Sequence, residues 1–436
     1  VRESNSYRLT NRSTGHEHAG TGRRGAPAVS RSAGQLSMAI GEALSGAREY
    51  LNGSGIDGWL LQDYRGSNPI LWNLIGNVGH VTRPCWFFVP SDGDPVLLTH
   101  EVDAGRFNSM VEAAGVENVK VQVRRFGSRV QMLSELGEVL SNRRVVAMEY
   151  SPEAALPRVS RIDAGTVELV RSLGVDVVSS GDVLQYSTER WTPAQRDSHQ
   201  VAMDGLVRTV HDAFAFIGEN INWKLTEHDV AEFIRGRFER LNLVAPDGPI
   251  VAVDAHASDP HYEPAPDTSS VVRKNSLVLI DLWAVSAEPG SVFGDITWTG
   301  YTGEPTPRHE EVFRAVADAR DTAVNFMQDA FSSGRELEGW EVDRTARNVI
   351  EKSGYADHFV HRLGHSIGVE VHSNGVNLDD WETHDTRKLI PGIAVSVEPG
   401  IYLPEFGIRS EIDVFLGEHG PQVTGDIQQE IVKINV

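Results

Sequence analysis

Three histidines fall within twelve residues in His361-Arg-Leu-Gly-His365-Ser-Ile-Gly-Val-Glu-Val-His372. As a helix, His361 and His365 would stand one turn apart on a common face, the spacing of a helical two-histidine zinc motif. As a strand, His361, Leu363, His365, Ile367, Val369 and Val371 would share one face, with Arg362, Ser366, Glu370 and His372 opposite. Gly364 and Gly368 weaken a helix, and the β-branched residues favour a strand. The strand is the expectation. It leaves His365 in need of partners from elsewhere in the chain.

Acids at the ends of apolar strands are the partners to seek, because a buried carboxylate is costly unless it is paired or bound to a cation. Ser-Leu-Val-Leu-Ile-Asp281 ends an apolar run in an acid, and Asp295 and Thr297 share a strand face. Ala-Val-Ser-Val-Glu398-Pro-Gly ends a second apolar run in an acid, at a turn. Arg409, Glu411 and Asp413 share a face, with Ile408, Ile412 and Val414 opposite. Asp281, Asp295, Glu398 and Glu411 with His365 make four carboxylates and one imidazole. Such a donor set suits Mn²⁺ or Co²⁺, with Fe²⁺ and Zn²⁺ as alternatives. Carboxylates can bridge two ions about 3.5–4 Å apart, and such a pair can hold a hydroxide between them.

The elements that must carry these residues follow from periodicity. Leu36, Ile40, Leu44, Ala47 and Leu51 mark an amphipathic helix, closed by Gly53 and Gly55. Strands are expected at 58–61, 86–89 and 96–98, the last two as a hairpin around Pro-Ser-Asp-Gly-Asp-Pro. Helices near 132–140 and 164–173 then alternate with strands at 145–148 and 175–178, which gives an α/β domain over 34–186. Thr192-Pro193 opens a long helix to about 217, with an apolar stripe of Leu206, Val210, Phe214 and Ile217. Helices near 227–241, 308–331 and 342–353, with short strands between and after them, give an α+β domain over 190–436. Residues 1–33 are polar and small, and are expected to form a disordered or extended tail; Arg23-Arg24 leads into no apolar run, so no secretory signal is expected.

Composition excludes some partners. A chain of 436 residues calls for more than one core. The net charge of −21 argues against nucleic acid or an anionic membrane. No apolar run is long enough to span a membrane. A single cysteine, Cys85, removes disulfides and cysteine metal clusters and favours a reducing, cytoplasmic compartment.

The order Asp281, Asp295-Ile-Thr297, Gly364-His365-x-x-Gly368, Glu398-Pro-Gly and Arg409-x-Glu411 resembles that of the pita-bread metallopeptidases, above all the Xaa-Pro aminopeptidases and Xaa-Pro dipeptidases (prolidases). The resemblance covers about 190–436, and the preceding α/β domain is similar to their creatinase-type N-terminal domain. It implies a dinuclear exopeptidase that cleaves the Xaa-Pro bond by a metal-bridging hydroxide. It implies Asp281, Asp295, His365, Glu398 and Glu411 as ligands, Asp295 and Glu411 bridging. It assigns His372 to the tetrahedral intermediate, His361 and His261 to substrate, and to Glu398 a second role as general base. Arg409 would orient carboxylates or line the pocket, and the relatives suggest a homodimer.

The sequence departs from the family pattern at the pocket wall. Trp298 stands where Arg is common, and the span from Asp281 to Asp295 is longer than usual. Ile412 follows Glu411 where Asp is frequent, and His372 leads into Ser-Asn-Gly-Val376 with no Arg to clamp a dipeptide carboxylate. A hydrolase or lyase of the same fold acting on a small non-peptide amide or amidino compound is therefore the second reading, and a non-catalytic binding protein the third.

Overall fold

The computed structural model describes residues 33–436, with side chains from Ile40 onward. The expected tail, apart from Ala33, and the side chain of Leu36 lie outside the described residues.

The first part is built on β1 (Gly58–Asp63), β2 (Cys85–Pro90), β3 (Val96–His100), β4 (Gln122–Phe126), β5 (Val145–Met148) and β6 (Asp176–Ser179), in the order β4-β3-β2-β1-β5-β6. β2 is antiparallel to β1 and β3; the other pairings are parallel. Strand alternation divides the core. Trp59, Leu61, Phe87 and Val89 face helices α1 (Ala33–Ser54), α2 (Pro69–Ile75) and α3 (Asn108–Val116). Leu60, Trp86, Phe88 and Val146 face α4 (Arg129–Val139) and α5 (Ala164–Ser172). The sequence reading found neither α2 and α3 nor β4. α2 has seven residues, too few to show a period, and starts from Asn68, whose side chain accepts from the Ile70 and Leu71 amides. β4 reads Gln-Val-Arg-Arg-Phe on the sheet edge and carries no apolar run. A short helix, α6 (Gly181–Leu184), continues into a π turn, Gln185–Glu189, that leads to the second part.

The second part places a five-stranded sheet, a four-stranded sheet and a two-stranded ribbon between two helical layers. α7 (Pro193–Asn220) begins at a Thr192–Gln195 capping box, worth about 1 kcal/mol. It packs with α8 (Glu227–Arg240) on a sheet of β7 (Leu243–Val244), β8 (Ile250–Val253), β9 (Leu277–Ser286), β10 (Gly294–Thr302) and a C-terminal strand. On the other side, α9 (Pro307–Ser333) and α10 (Gly339–Lys352) cover β11 (Ser366–Ile367), β12 (Ala394–Val397), β13 (Gly400–Leu403), β14 (Phe406–Arg409) and β15 (Ile412–Gly417). β16 (Gly420–Val423) pairs with β15, and β17 (Val432–Ile434) is the C-terminal strand, parallel to β10.

Alternation puts Val278, Ile280 and Leu282 of β9 and Ile296 and Trp298 of β10 on the α7/α8 side. The opposite parity, Asp281, Asp295 and Thr297, therefore looks toward the second sheet. There, Val395, Val397, Ile412 and Val414 join the α9/α10 core, which turns Ser396, Glu411 and Asp413 back toward β10. The polar cluster thus lies between the sheets.

Three local expectations are corrected. The histidine stretch is not a continuous strand: Ser366–Ile367 pairs with β12, Gly364 makes a single bridge to Leu378, and the rest is bends and loop. Gly364 explains part of this, since a Cβ there would lie 2.0 Å from the Ser396 carbonyl; the chain lies flush on β12 and then turns away. Asp281 stands in the middle of β9, not at its end, because the apolar run continues as Leu-Trp-Ala-Val. Arg409 and Asp413 belong to different strands, β14 and β15, although both face β10.

Candidate active site

Asp281 and Thr297 are register partners on β9 and β10, and Asp295 lies two residues from Thr297 on the same face. Glu411 is held against them twice: its amide donates to the Thr297 carbonyl (3.1 Å) and its Oε2 accepts from Thr297 Oγ1 (2.7 Å). Asp295 is fixed through its amide, which donates to Asp413 Oδ2 (2.9 Å). His365 is set by its own amide, which donates to Ser396 Oγ (2.9 Å), and Ser396 Oγ reaches Glu398 Oε1 at 3.3 Å. The result is convergence. His365 Nε2 lies 3.6 Å from Asp295 Oδ2 and 3.5 Å from Glu398 Oε1. One ligand atom from each of Asp295, His365 and Glu411 lies within 4.8 Å of the others.

The electrostatics of this cluster are those of an uncompensated anion. Burial pushes the carboxyl of Asp295 well above the ordinary range, and Glu411, Asp281, Asp413 and Glu398 push it further. Burial, then Glu398 and Asp281, does the same to Glu411. Asp281 is raised by burial and restrained by Arg409, and Glu398 is pushed up to about 7 by burial. Burial, and next His372, holds His365 well below the usual histidine range, so its imidazole is a neutral donor. Oδ1 of Asp281 and Oδ1 of Asp295 are buried without any hydrogen-bond partner. Orphaned carboxylate oxygens, crowded acids and a neutral imidazole in one place fit divalent cations, which would draw the carboxyl pKa values back down and keep the imidazole neutral.

Arg409 is 3 % exposed and faces the cluster. Its Nη2 meets Asp281 Oδ2 at 2.5 Å, its Nε donates to Thr297 Oγ1 (3.0 Å) and its Nη1 to Tyr402 OH (2.9 Å). Three of its five N–H donors are thus aimed at Asp281, Thr297 and Tyr402, the arrangement of a residue that orients carboxylates from inside the cluster. Trp298 is a correction. It points away from Asp295 into the α7 layer, edge-on to His211, so strand alternation removes it from the pocket.

The flanking histidines separate. His361 Nδ1 lies 2.6 Å from the Arg362 carbonyl, so Nδ1 carries the hydrogen and Nε2 accepts from Tyr402 OH (2.7 Å). Burial pushes its pKa down to about 3. His372 is exposed and stands edge-on to His365, ring centres 4.2 Å apart at 72°. His261 is exposed and hydrogen-bonds with none of these residues, but its charge is felt at Asp281 and at His372. Its neighbour His256 is committed elsewhere, to Glu227 at 2.9 Å.

Sequence reasoning missed Tyr402, which links His361 to Arg409; its place in Glu-Pro-Gly-Ile-Tyr gave a position but no polar partner. It also missed Asp343 and Arg347. Four apart on α10, they read as a solvent ion pair. They are buried, and hold the Leu363 amide and the Phe359 and His361 carbonyls.

With this geometry in hand, comparison with known proteins gives a consistent answer. The Xaa-Pro dipeptidase of Pyrococcus furiosus is 31 % identical over 165 residues, 37 % of this chain and 43 % of that one. The chain spans about half the length of the curated relatives it matches. Among solved structures, dipeptidase PepE from Mycobacterium ulcerans aligns with a TM-score of 0.70 at 24 % identity, covering 91 % of this chain and 98 % of that one. An Xaa-Pro dipeptidase from Bacillus anthracis aligns with a TM-score of 0.62 at 20 % identity, covering 90 % and 99 %. These likenesses establish the pita-bread fold with its N-terminal α/β part. Residues 199–418, just over half of the chain and the stretch that holds every carboxylate of the cluster, match the model of metallopeptidase family M24, and the chain belongs to that family.

Proposed function

We propose that this protein is a dinuclear-metal exopeptidase that hydrolyses the Xaa-Pro bond at the N-terminus of peptides. The observation that carries this is the meeting of four carboxylates, three of them buried, and a neutral imidazole between two sheets, with oxygens on Asp281 and Asp295 that lack partners among the described residues. Asp281, Asp295, His365, Glu398 and Glu411 would hold two divalent cations, most simply Mn²⁺. When bound, such a pair supplies Lewis acidity toward a carbonyl and acidifies water. Glu398 is the proton carrier. Its side chain is the most open of the ligand carboxylates, at 17 %, which leaves it the best placed of them to exchange a proton with water at the site. His372, exposed beside His365, faces the oxyanion that develops on the scissile carbonyl. His361, held by Tyr402, and His261 at the mouth bind the substrate. Residues 34–186 and 190–436 are taken as the two domains, in a cytoplasmic homodimer.

Val376 favours substrates longer than a dipeptide. It is fully buried in the α9/α10 core, so this position offers no cation to a dipeptide carboxylate. The same feature supports a second reading, a small non-peptide amide as substrate. A panel of Xaa-Pro dipeptides, longer Xaa-Pro peptides and small amides, assayed with and without Mn²⁺, separates them. The expected result is Mn²⁺-dependent release of the N-terminal residue, fastest from the longer peptides. Full activity in an Asp281→Ala variant would overturn the site assignment.

A further inference from the structure

The segment 368–376 carries His372, yet no side chain hydrogen-bonds the His372 ring among the described residues. Its position is therefore set by how the backbone on either side is held. Inside the segment, the Ser373 amide donates to the Ser366 carbonyl at 2.8 Å. Besides the Arg158–Glu370 ion pair and the bond that Arg387 Nη1 donates to the Asn374 carbonyl (2.7 Å), three further holds on its backbone come from residues that precede 191. The Asn374 amide donates to Glu189 Oε2 (3.2 Å), the Val376 amide to Gln185 Oε1 (3.0 Å), and Arg158 Nε donates to the Ser373 carbonyl (2.7 Å).

Glu189 stands out among them. It is 3 % exposed, and no salt bridge to it exists among the described residues. A buried carboxylate without a cation is costly, and is retained where its hydrogen bonds do something specific. A Cβ on Gly368 would come within 3.4 Å of Glu189 Oε2, and one on Gly375 within 3.6 Å of Glu189 Cβ. These two glycines bracket His372, so the Glu189 side chain lies at the base of the loop, beside both its ends. Gln185 and Glu189 are the first and last residues of the π turn that joins the two parts of the chain, and such turns gather at functional sites.

We propose that Glu189, assisted by Gln185, is a positioning residue for His372: it fixes the base of the 368–376 loop to the linker and so holds the imidazole beside His365. This rests on the reading of the site as a metallopeptidase centre in which His372 meets the reacting carbonyl. It gives the linker between the two parts of the chain a role in catalysis without contributing a group to the chemistry.

The test is a double-mutant cycle with hydrogen exchange. Glu189→Ala is expected to lower kcat/KM for an Xaa-Pro peptide by about 10–100-fold, as supporting residues around metal sites do, with Mn²⁺ uptake by elemental analysis unchanged. Glu189→Gln keeps an acceptor for the Asn374 amide and should recover most of the activity. In a His372→Ala background, Glu189→Ala should add less than about 3-fold, because it acts through a group already removed. Glu189→Asp, too short to reach Asn374, carries the same cycle if the Ala variant does not fold. Amide exchange should rise in 368–376 and not in β9 or β10. Fully multiplicative losses, or unchanged exchange in 368–376, would overturn the proposal. An inactive wild type would instead overturn the functional reading, while the exchange arm still reads the hold on the loop.

Discussion

Arg409 spreads one guanidinium over Asp281, Thr297 and Tyr402, and through Tyr402 it reaches His361. A planar fork suits three partners at fixed angles, whereas a lysine ammonium is a point charge on a flexible stem. Arg409→Lys keeps the charge and loses the fork. We expect Mn²⁺ affinity or kcat/KM to fall about 10–100-fold, the range for residues that orient ligands. A metal titration followed by peptide hydrolysis reads both. At this scale the sequence was informative about types: Asp281, Asp295, His365, Glu398 and Glu411 were all named from acids and a histidine in or beside apolar strands. It was uninformative about facing. Trp298 was assigned to the pocket on its position in Asp-Ile-Thr-Trp, and strand alternation sends it the other way. Tyr402 and Glu189 carried no motif at all.

Among the elements, the short contact of Gly364 with β12 matters most for the site. A methyl there would meet the Ser396 carbonyl at 2.0 Å, and Ser396 is the residue that fixes the His365 amide and touches Glu398. Gly364→Ala must part the histidine loop from β12. The expected outcome is loss of metal binding and activity by a residue that offers no ligand atom, with overpacking lowering stability by about 1–3 kcal/mol. Calorimetric metal titration and denaturant unfolding check the two halves separately, and wild-type affinity in this variant would refute the account. Long helices were legible at this scale because period and caps agree, as at Thr192-Pro193. The histidine stretch was not, since a strand pattern of alternating residues was overruled by two glycines packed on neighbouring chain.

Across the whole molecule, buried polar groups tie the parts together. Glu149 is fully buried just past β5 and accepts from Trp59 Nε1 (2.6 Å), Asn68 Nδ2 (2.8 Å) and Ser180 Oγ (3.3 Å), joining β1, the cap of α2 and the start of the linker that leads to Glu189. Burial pushes its pKa from 4.5 up to about 7, against the pull of those donors. The folded chain thus binds this proton more tightly than the unfolded chain does. Its contribution is complete below pH about 4.5 and is lost as pH rises through about 7. Glu149→Gln has no such proton. Between pH 5 and 7.5 its unfolding free energy should gain on that of the wild type, by at most about 3 kcal/mol at 1.36 kcal/mol per pH unit. Parallel urea curves for the two proteins at both pH values would show no such convergence if Glu149 were ionised throughout.

By itself the sequence determined the donor set, its order along the chain, the α/β part before an α+β part, and the family they resemble. These depend on residue type and short-range period, which are local properties. What the tertiary structure alone decided is which side of each strand faces the gap between the sheets, how Arg409 and Tyr402 close the cluster, and that the linker grips the loop of His372. Those outcomes depend on contacts between residues more than a hundred positions apart, such as Arg409 with Asp281 and Asn374 with Glu189. No local pattern encodes such pairs; the packing of two sheets and the space left by glycines creates them.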